Sequence, residues 1–363
     1  MKLLVTTDAV GGVWVYSVEL ARALKNFGVE AILAVMGPSP TRRQQEDASD
    51  LQLIDTGLPL EWLDTTPAAV RNAGNEIAWI AGYVGADIVQ TSSAALLADA
   101  AFEQPSVAVQ HSCVATWWHA VKRTPLPAEF EWRRELVRRG LTRASAIVAP
   151  SLAFAEETAR TYDLQTTVDV VHNGRRMPGF TDLPHGEFVF TASRLWDEGK
   201  NVATLDAAAA LLEAPFQAAG PTTGPNGTAI RLDHVQPLGE LSGTRLAALL
   251  AARPVYASAA VYEPFGLSVL EAAQAGCALV LSDIPTHREI WGGAAIFVPA
   301  RDSAAFANAI DDLLNDPEKR WELGRLARAR AWQFSPERMA ARMAEIYAAL
   351  TADAAPIQLA GAA

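Results

Sequence analysis

The stretch KLLVTTDAVGGVWVYSVELARALKNFGVEAILAV, residues 2–35, contains a complete strand–helix–strand unit near the start of the chain. Lys2–Thr6 is a short apolar and β-branched run, which predicts a buried strand. Asp8–Gly12 predicts a tight loop, Val15–Phe27 a helix, and Val29–Val35 the next strand. Two strands joined by a helix pair in parallel, so this unit predicts a parallel α/β fold.

The same alternation of short apolar runs and Ala/Leu-rich stretches continues along the rest of the chain. In the first half it predicts further strands at Ile88–Gln90, Ser106–Gln110, Ala146–Ala149 and Val168–Val171. In the second half it predicts strands at Phe188–Ser193, Pro215–Ala218, Pro254–Ser258, Ala278–Leu281 and Ala295–Phe297. Helices of the second half are predicted at about Val202–Glu213, Gly243–Ala251, Leu267–Ala275, Ser303–Asn315, Glu318–Gln333 and Pro336–Thr351.

Around residues 172–187 the apolar periodicity stops, and Asn, Gly, Pro and mixed charges replace it. We therefore predict two Rossmann-like, doubly wound domains, residues 1–172 and 187–335, that face each other across a cleft. Residues 352–363 show no packing pattern and predict a frayed tail. Since doubly wound sheets bind ligands at the carboxyl ends of their strands, the cleft is the expected site.

The composition fits two globular domains and argues against several classes of protein. Of the 363 residues, 50% are hydrophobic and 20% are charged, which excludes disorder over the whole chain. The formal net charge of −11 argues against a general nucleic-acid binder, which needs a basic surface. Two cysteines form no disulfide framework, and the first apolar run is too short for a signal peptide. The cysteine usage makes a reducing cytosol the default, so we expect a cytoplasmic protein, with peripheral contact at the inner face of the membrane as an option. No apolar run is long enough to span a bilayer.

The stretch YEPFGLSVLEAAQAG, Tyr262–Gly276, carries the strongest functional signal. Glu263 and Glu271 bracket a Pro-Phe-Gly turn that opens a predicted helix. The positive end of the helix dipole and the backbone N–H groups of this turn suit a diphosphate, with the N–H groups contributed by Phe265, Gly266 and Leu267. Glu271 is placed to accept hydrogen bonds from a ribose. Equally, the two carboxylates could be ordinary acidic residues that stabilise a helix N-terminus.

The stretch TASRLWDEGKN, Thr191–Asn201, places two cations on the loop after the first strand of the second domain. Arg194 and Lys200 lie next to a predicted helix N-terminus, where they suit a diphosphate leaving group. The alternative is a solvated loop in which Asp197 and Glu198 balance the cations. Taken alone, the loop favours that alternative.

Two further candidates come from the first domain. The pair Gly11–Gly12 lets backbone approach a ligand closely, although the loop lacks the full pattern of a dinucleotide site. His111 follows a predicted strand at its carboxyl end, where it is either a site residue or a structural histidine. No histidine pairing and no Asp-x-Asp sequence has metal-ligand spacing, so no metal is expected.

The region 122–143 is locally basic in an otherwise acidic chain. It could form a helix face that touches anionic lipid, which would give weak peripheral membrane contact. A solvated helix surface with pairs of opposite charge is the favoured interpretation. Its basic residues are Lys122, Arg123, Arg133, Arg134, Arg138, Arg139 and Arg143.

Over about residues 1–350, the order of these motifs resembles the family-four retaining glycosyltransferases, which have the GT-B fold. The most specific part is Glu263–Glu271, an E-x-F-G-x-x-x-x-E sequence. Further similarity lies in Gly11–Gly12, in Arg194 with Lys200, in Asn173–Gly174 and in Leu281–Ile290. The resemblance implies a last helix, about residues 336–351, that crosses back onto the first domain.

The resemblance also implies roles for individual residues. Arg194 and Lys200 would hold the donor diphosphate, Glu271 would bind the ribose, and Glu263 would contact the donor sugar with the backbone of Phe265–Leu267. Gly11 and Gly12 would lie close to the phosphate or the sugar, and His111 would face the sugar from the first domain. Trp196 and Asp197, and the turn Gly220–Thr228, depart from the family pattern; the turn leaves the nucleoside base open.

The implied reaction is metal-independent transfer of a sugar, with retention, from a nucleoside diphosphate sugar to a hydroxyl group. UDP is the default nucleotide, and the acceptor is a saccharide, a lipid-linked saccharide or a small molecule. Two alternatives stay open. One is a nucleotide-sugar 2-epimerase on the same scaffold, and the other is a non-catalytic, two-lobed sugar-binding protein.

Overall fold

The computed structural model describes residues 1–63, 65–177 and 186–354. The first half of the chain forms a seven-stranded sheet in which all neighbouring strands are parallel. Its strands are β1 (Lys2–Asp8), β2 (Glu30–Met36), β3 (Gln52–Asp55), β4 (Ile88–Thr91), β5 (Ser106–Val109), β6 (Ala146–Ala149) and β7 (Asp169–Val170). The order β3-β2-β1-β4-β5-β6-β7 reverses direction at β1, which makes the sheet doubly wound.

The second half forms a six-stranded parallel sheet that is wound in the same way. Its strands are β8 (Val189–Ala192), β9 (Phe216–Ala219), β10 (Gln236–Pro237), β11 (Val255–Ser258), β12 (Leu279–Ser282) and β13 (Ile296–Val298). The order is β10-β9-β8-β11-β12-β13, so the winding reverses at β8. The predicted pair of Rossmann-like domains is thus confirmed.

Helices cover the sheets and connect the strands. Those of the first half are α1 (Gly12–Leu24), α2 (Arg42–Asp47), α3 (Pro67–Val84), α4 (Val114–Lys122), α5 (Glu131–Arg143) and α6 (Leu152–Tyr162). Those that follow are α7 (Val202–Ala209), α8 (Gly243–Ala251), α9 (Leu267–Ala275), α10 (Pro285–Trp291), α11 (Ser303–Asn315), α12 (Pro317–Ala331) and α13 (Pro336–Ala354).

Several predicted helix ends are wrong by a few residues, and local chemistry explains them. Helix α12 begins at Pro317 because the Asp316 side chain caps it by accepting a hydrogen bond from Lys319 N. Helix α7 ends at Ala209, before the predicted Glu213, because the chain tightens there into turns with i−3 hydrogen bonds.

Helix α13 follows the second sheet in sequence but packs into the core of the first domain. Met339, Ala340, Met343 and Tyr347 are buried together with side chains of α1, and the Tyr347 hydroxyl donates to the Gln90 side chain. The helix continues to Ala354, so the first three residues of the predicted frayed tail, 352–354, are helical. Its Ala-rich end favours continued helix. Residues 355–363 lie outside the described residues.

The residues at which the two domains begin and end stay a prediction. Residues 178–185 of the predicted boundary segment lie outside the described part of the chain. Described residues of the two connections between the sheets touch each other. A Cβ placed on Gly174 would lie 2.4 Å from Ser335 O and 2.5 Å from Pro336 N. Gly174 therefore allows the outgoing and returning connections to cross at one point.

Candidate active site

The loops after β1 and β8 meet in the cleft between the sheets. A Cβ placed on Gly11 would lie 2.9 Å from Arg194 Nη1, so the guanidinium lies directly against the first-domain backbone. A Cβ on Gly12 would lie 3.5 Å from Leu267 Cδ1, at the start of α9. The sequence predicted these glycines and Arg194 separately, and the structure brings them together.

Two helices point their N-termini at this place. Gly11 is the residue before α1, and Gly266 is the residue before α9. Gly266 has a φ of +94°, a left-handed conformation that a residue with a side chain adopts only with strain. Because a helix N-terminus carries partial positive charge, the convergence of two of them favours an anion in the cleft.

The Arg194 guanidinium is held by a buried carboxylate. Arg194 Nη2 donates to Asp197 Oδ2 at 2.8 Å, while Asp197 Oδ1 accepts from Gly199 N at 2.9 Å and from Trp117 Nε1 at 3.0 Å. Burial alone would raise the pKa of Asp197. The positive charges of Arg194 and Lys200 lower this pKa by more, so it lies below its usual range. Arg194 Nε is buried and has no hydrogen-bond partner among the described residues.

Lys200 and Glu263 join the two strongest sequence motifs. Lys200 Nζ lies 2.6 Å from Glu263 Oε2, and both side chains are largely buried. Asn201 fixes the Lys200 loop by donating from Nδ2 to Ala259 O at 3.0 Å and to Ala300 O at 2.7 Å. The structure thus places the second-domain cations beside carboxylates, where an anionic ligand would compete for them.

Glu271 lies one turn into α9 and is buried. Its Oε1 accepts from Arg175 Nε at 2.9 Å, and Arg175 Nη1 donates in turn to Glu19 Oε1 at 2.7 Å. Burial raises the pKa of Glu271, whereas Arg175 acts in the opposite direction. Sequence reasoning missed Arg175, which lies in the segment interpreted as a domain boundary.

His111 lies after β5 with its ring packed edge-on against Tyr16 of α1, at 4.4 Å between ring centroids. Burial lowers its pKa to about 4, so the imidazole is neutral at physiological pH. Its Nε2 is buried without a hydrogen-bond partner among the described residues. Through Nε2 the imidazole can therefore form a hydrogen bond with a ligand, but it cannot supply a positive charge.

A second histidine with a free nitrogen lies in the other domain. His287 of α10 is fully buried, and its Nδ1 lies 3.0 Å from Ser282 O, to which it donates. Burial lowers the pKa of His287. The negative charge of Glu263 acts in the opposite direction, and the positive charge of Lys200 lowers the pKa as well. Within the described chain its Nε2 finds no partner. Sequence reasoning did not select His287 as a site residue, although it lies within Leu281–Ile290, one of the segments that carry the resemblance.

Helix α4 of the first domain lies against the loops that carry the second-domain candidates. Lys122 Nζ lies 2.6 Å from Glu198 Oε2, and Thr116 Oγ1 lies 2.8 Å from the Tyr262 hydroxyl. Together with the bond from Trp117 to Asp197, these contacts join the two domains beside the candidate site.

Partners of opposite charge account for much of the basic region 122–143. Ion pairs join Arg134 to Glu131, Arg138 to Glu135, and Arg139 to Asp99, besides the pair between Lys122 and Glu198. Such pairing is typical of a solvated helix surface, which was the interpretation favoured from the sequence. Contact with a lipid surface stays a prediction. Among the described residues, none of the helices has the length and apolar character to cross a membrane.

The described residues contain no group of three or more His, Cys, Asp or Glu side chains that could hold a metal ion. Independence from metal stays a prediction.

Two family profiles match the chain. The profile "Glycosyltransferase Family 4" matches residues 10–176, and "Glycosyl transferases group 1" matches residues 229–330. The first range covers Gly11, Gly12 and His111, and the second covers Glu263 and Glu271. Arg194 and Lys200 lie between the two ranges.

Curated proteins match over shorter stretches. Glycogen synthase of Mycobacterium tuberculosis is 37% identical over 115 residues, which is 31% of this chain and 28% of that protein. A putative glycosyltransferase of Bacillus subtilis, EpsD, is 35% identical over 103 residues, 28% of this chain and 27% of that protein. The chain therefore matches less than a third of the length of either relative.

Solved structures resemble the chain over nearly its whole length. Sucrose-phosphate synthase from Thermosynechococcus elongatus has a TM-score of 0.81 at 18% identity, covering 97% of this chain and 100% of the other. HepE of Anabaena, solved with UDP-glucose, has a TM-score of 0.76 at 18% identity, covering 96% and 100%. At this identity the likeness shows the fold, which is the GT-B arrangement of two Rossmann-like domains.

Proposed function

Since the chain belongs to glycosyltransferase family 4, we propose that it transfers a sugar from a nucleoside diphosphate sugar to a hydroxyl group of an acceptor. We further propose that the anomeric configuration is retained and that UDP is the nucleotide. One observation carries the proposal. Arg194, Lys200 and the N-termini of α1 and α9 converge in the interdomain cleft, with Glu263 and Glu271 at its edge.

Donor binding would exchange ionic partners at the site. The diphosphate oxygens would take the place of Asp197 at Arg194 and of Glu263 at Lys200, and the unpaired Arg194 Nε would gain an acceptor. Glu263, released from Lys200, would then accept hydrogen bonds from the donor sugar. Because the two cations and two helix N-termini are already in place, little reorganisation is needed when charge develops on the leaving group.

The proposed transfer proceeds on one face of the sugar. The bond between the anomeric carbon and the diphosphate oxygen breaks, and its electron pair stays with the diphosphate. The acceptor oxygen bonds to the anomeric carbon on the same face, and its proton passes to a diphosphate oxygen. The residues Arg194 and Lys200 stabilise the departing charge, while the neutral His111 can hydrogen-bond to a sugar hydroxyl through Nε2.

One comparison supports a uridine nucleotide, and one contact supports a nucleoside base in general. Solved complexes of the similar protein HepE contain UDP and UDP-glucose. In the present chain the turn after β9 packs on Trp196, since a Cβ on Gly224 would lie 2.5 Å from Trp196 Cδ2. Trp196 belongs to the Arg194 loop and offers an aromatic ring on which any flat base can stack, so this contact supports a nucleotide without selecting its base.

Incubation with UDP-, GDP- and ADP-sugars, with and without saccharide acceptors, tests the proposal. We expect nucleotide release together with a glycosylated product of retained configuration, established by NMR, and the strongest thermal stabilisation by UDP. Release of nucleotide with an isomerised sugar would instead indicate an epimerase. Stabilisation by a sugar with no turnover under any condition would indicate a binding protein.

Removal of divalent cations is expected to leave transfer largely unchanged. The positive charge that a leaving diphosphate needs is supplied by Arg194, Lys200 and two helix N-termini. The measurement compares initial rates in EDTA with rates in added magnesium or manganese. A rate that collapses in EDTA and returns with either cation would contradict this account of the site.

A further inference from the structure

Arg175 lies where the two connections between the domains cross. It follows Gly174, whose backbone lies in close contact with the backbone of Ser335. Its backbone is held on both sides, because Arg175 N donates to Phe334 O at 3.4 Å and Arg175 O accepts from the Gln274 side chain of α9. The side chain therefore leaves a fixed point beside α9.

The Arg175 guanidinium joins one carboxylate from each domain. Nη1 contacts Glu19 Oε1 at 2.7 Å and Nε contacts Glu271 Oε1 at 2.9 Å. Glu19 belongs to α1 and Glu271 to α9, the same two helices whose N-termini face each other in the cleft. Both carboxylate side chains are only 11% exposed, so solvent screens these pairs weakly.

We propose that Arg175 is a positioning residue for the donor: it orients Glu271 to accept the ribose hydroxyls by tying that carboxylate to Glu19 of the first domain. This inference rests on the proposed function, since it assumes that Glu271 binds a ribose. Arg175 engages Glu271 through Oε1, which leaves Oε2 to accept hydrogen bonds. A buried carboxylate with one fixed oxygen presents the other in a defined direction.

The charges around Glu271 explain why a cation is needed at this point. Glu19 faces it from α1, Arg175 from the connection, and the buried Tyr256 hydroxyl from β11. Burial already raises the pKa of Glu271, and the negative charge of Glu19 raises it further. Without Arg175, two carboxylates of like charge would share a buried site, and the pKa of Glu271 would rise further.

Calorimetry tests the proposal by measuring how protein variants bind a nucleotide with its ribose hydroxyls and one without them. The variants are Arg175→Met and Glu271→Ala, and the probes are UDP and 2′,3′-dideoxy-UDP. We expect Arg175→Met to weaken UDP binding about tenfold, in the range found when a ligand's supporting contact is removed, and to change dideoxy-UDP binding little. Equal losses for the two probes would overturn the inference, because the effect would not pass through the ribose.

A matched control and a conservative variant separate positioning from folding. Arg176 is the adjacent arginine and pairs with the exposed Glu337, so Arg176→Met is expected to bind UDP as the wild type does. Arg175→Lys keeps the charge but loses the planar fork, and we expect partial recovery of UDP affinity. If Arg175→Met fails to fold, the same two-probe comparison with Arg175→Lys decides.

The pH dependence of binding gives an independent readout. Arg175 lowers the pKa of Glu271, so its loss lets the carboxyl group take up a proton at a higher pH than in the wild type, and the UDP affinity of Arg175→Met should fall as the pH is lowered. Relative to the wild type, the loss should grow as the pH is lowered. A constant ratio of the two affinities would count against the inference, whereas wild-type protein that binds no nucleotide would refute the proposed function itself.

Discussion

Arg194→Ala and Lys200→Ala are each expected to lower kcat/KM for the donor by about one to two decades. Each cation would make charge-assisted hydrogen bonds to the leaving diphosphate, and these strengthen as the glycosidic bond breaks. Loss of one such bond costs about 1.5–3 kcal/mol in the transition state. Steady-state rates at varied donor concentration, with melting temperatures recorded for each variant, provide the measurement.

The double variant is expected to lose less than the sum of the two single losses, because both cations act on one anion. Arg138→Ala is the matched control. Arg138 forms an i,i+3 pair with Glu135 just as Arg194 pairs with Asp197, but on the exposed face of α5. Near wild-type turnover in both single variants of the cleft would mean that the loop is merely solvated and that the diphosphate binds elsewhere.

Met343→Asp is expected to lower the free energy of unfolding by about 4 kcal/mol or more, since it buries an unpaired charge. Met343 of α13 is fully buried against α1 in the first-domain core. For a domain of this size, a loss of that magnitude corresponds to a fall of roughly 8–16 °C in Tm. Thermal unfolding followed by circular dichroism measures it.

Ala349→Asp provides the control, because Ala349 lies on the exposed side of the same helix. It introduces the same side chain with the same helix propensity, and we expect Tm to change by no more than about 2 °C, as for ordinary surface substitutions. Equal falls in Tm for the two variants would show that α13 is not part of the first-domain core.

Local sequence patterns were sufficient to predict the fold. The unit at residues 2–35 contains a strand, a loop, a helix and a second strand, each marked by its own residue types. The helices Gly243–Ala251, Leu267–Ala275 and Ser303–Asn315 have the predicted bounds, and each begins directly after a residue that favours a helix start: Ser242, Gly266 or Asp302. Strands β3 and β10 were missed because they are short and partly polar, and lie at the edges of their sheets.

The clustering of the candidate site could be predicted only in part. Glu263, Glu271, Arg194 and Lys200 stand out because each lies in a short motif at a strand end. Their partners do not, because the contacts span long distances in sequence. Arg175 lies 156 residues from Glu19 and 96 from Glu271, and Trp117 lies 80 from Asp197.

In the alternative interpretation of the sequence, Asp197 is a counterion that balances the cations of a solvated loop. In the structure it holds Arg194 while accepting from Trp117 of the other domain, so it links the cation to domain closure. Which oxygen faces which donor depends on packing across the cleft. No local pattern encodes that packing.

The return of α13 makes the second domain an insertion within the first, with consequences for the order of folding during synthesis. Tyr347 lies 257 residues after Gln90, its hydrogen-bond partner. At about 5–20 residues per second, the ribosome needs roughly 13–50 s to make that stretch. Throughout that interval the apolar face of α1 lacks its partner helix, while the second domain emerges and can fold. A circular permutant that begins with α13 would complete the first core as soon as that domain is made.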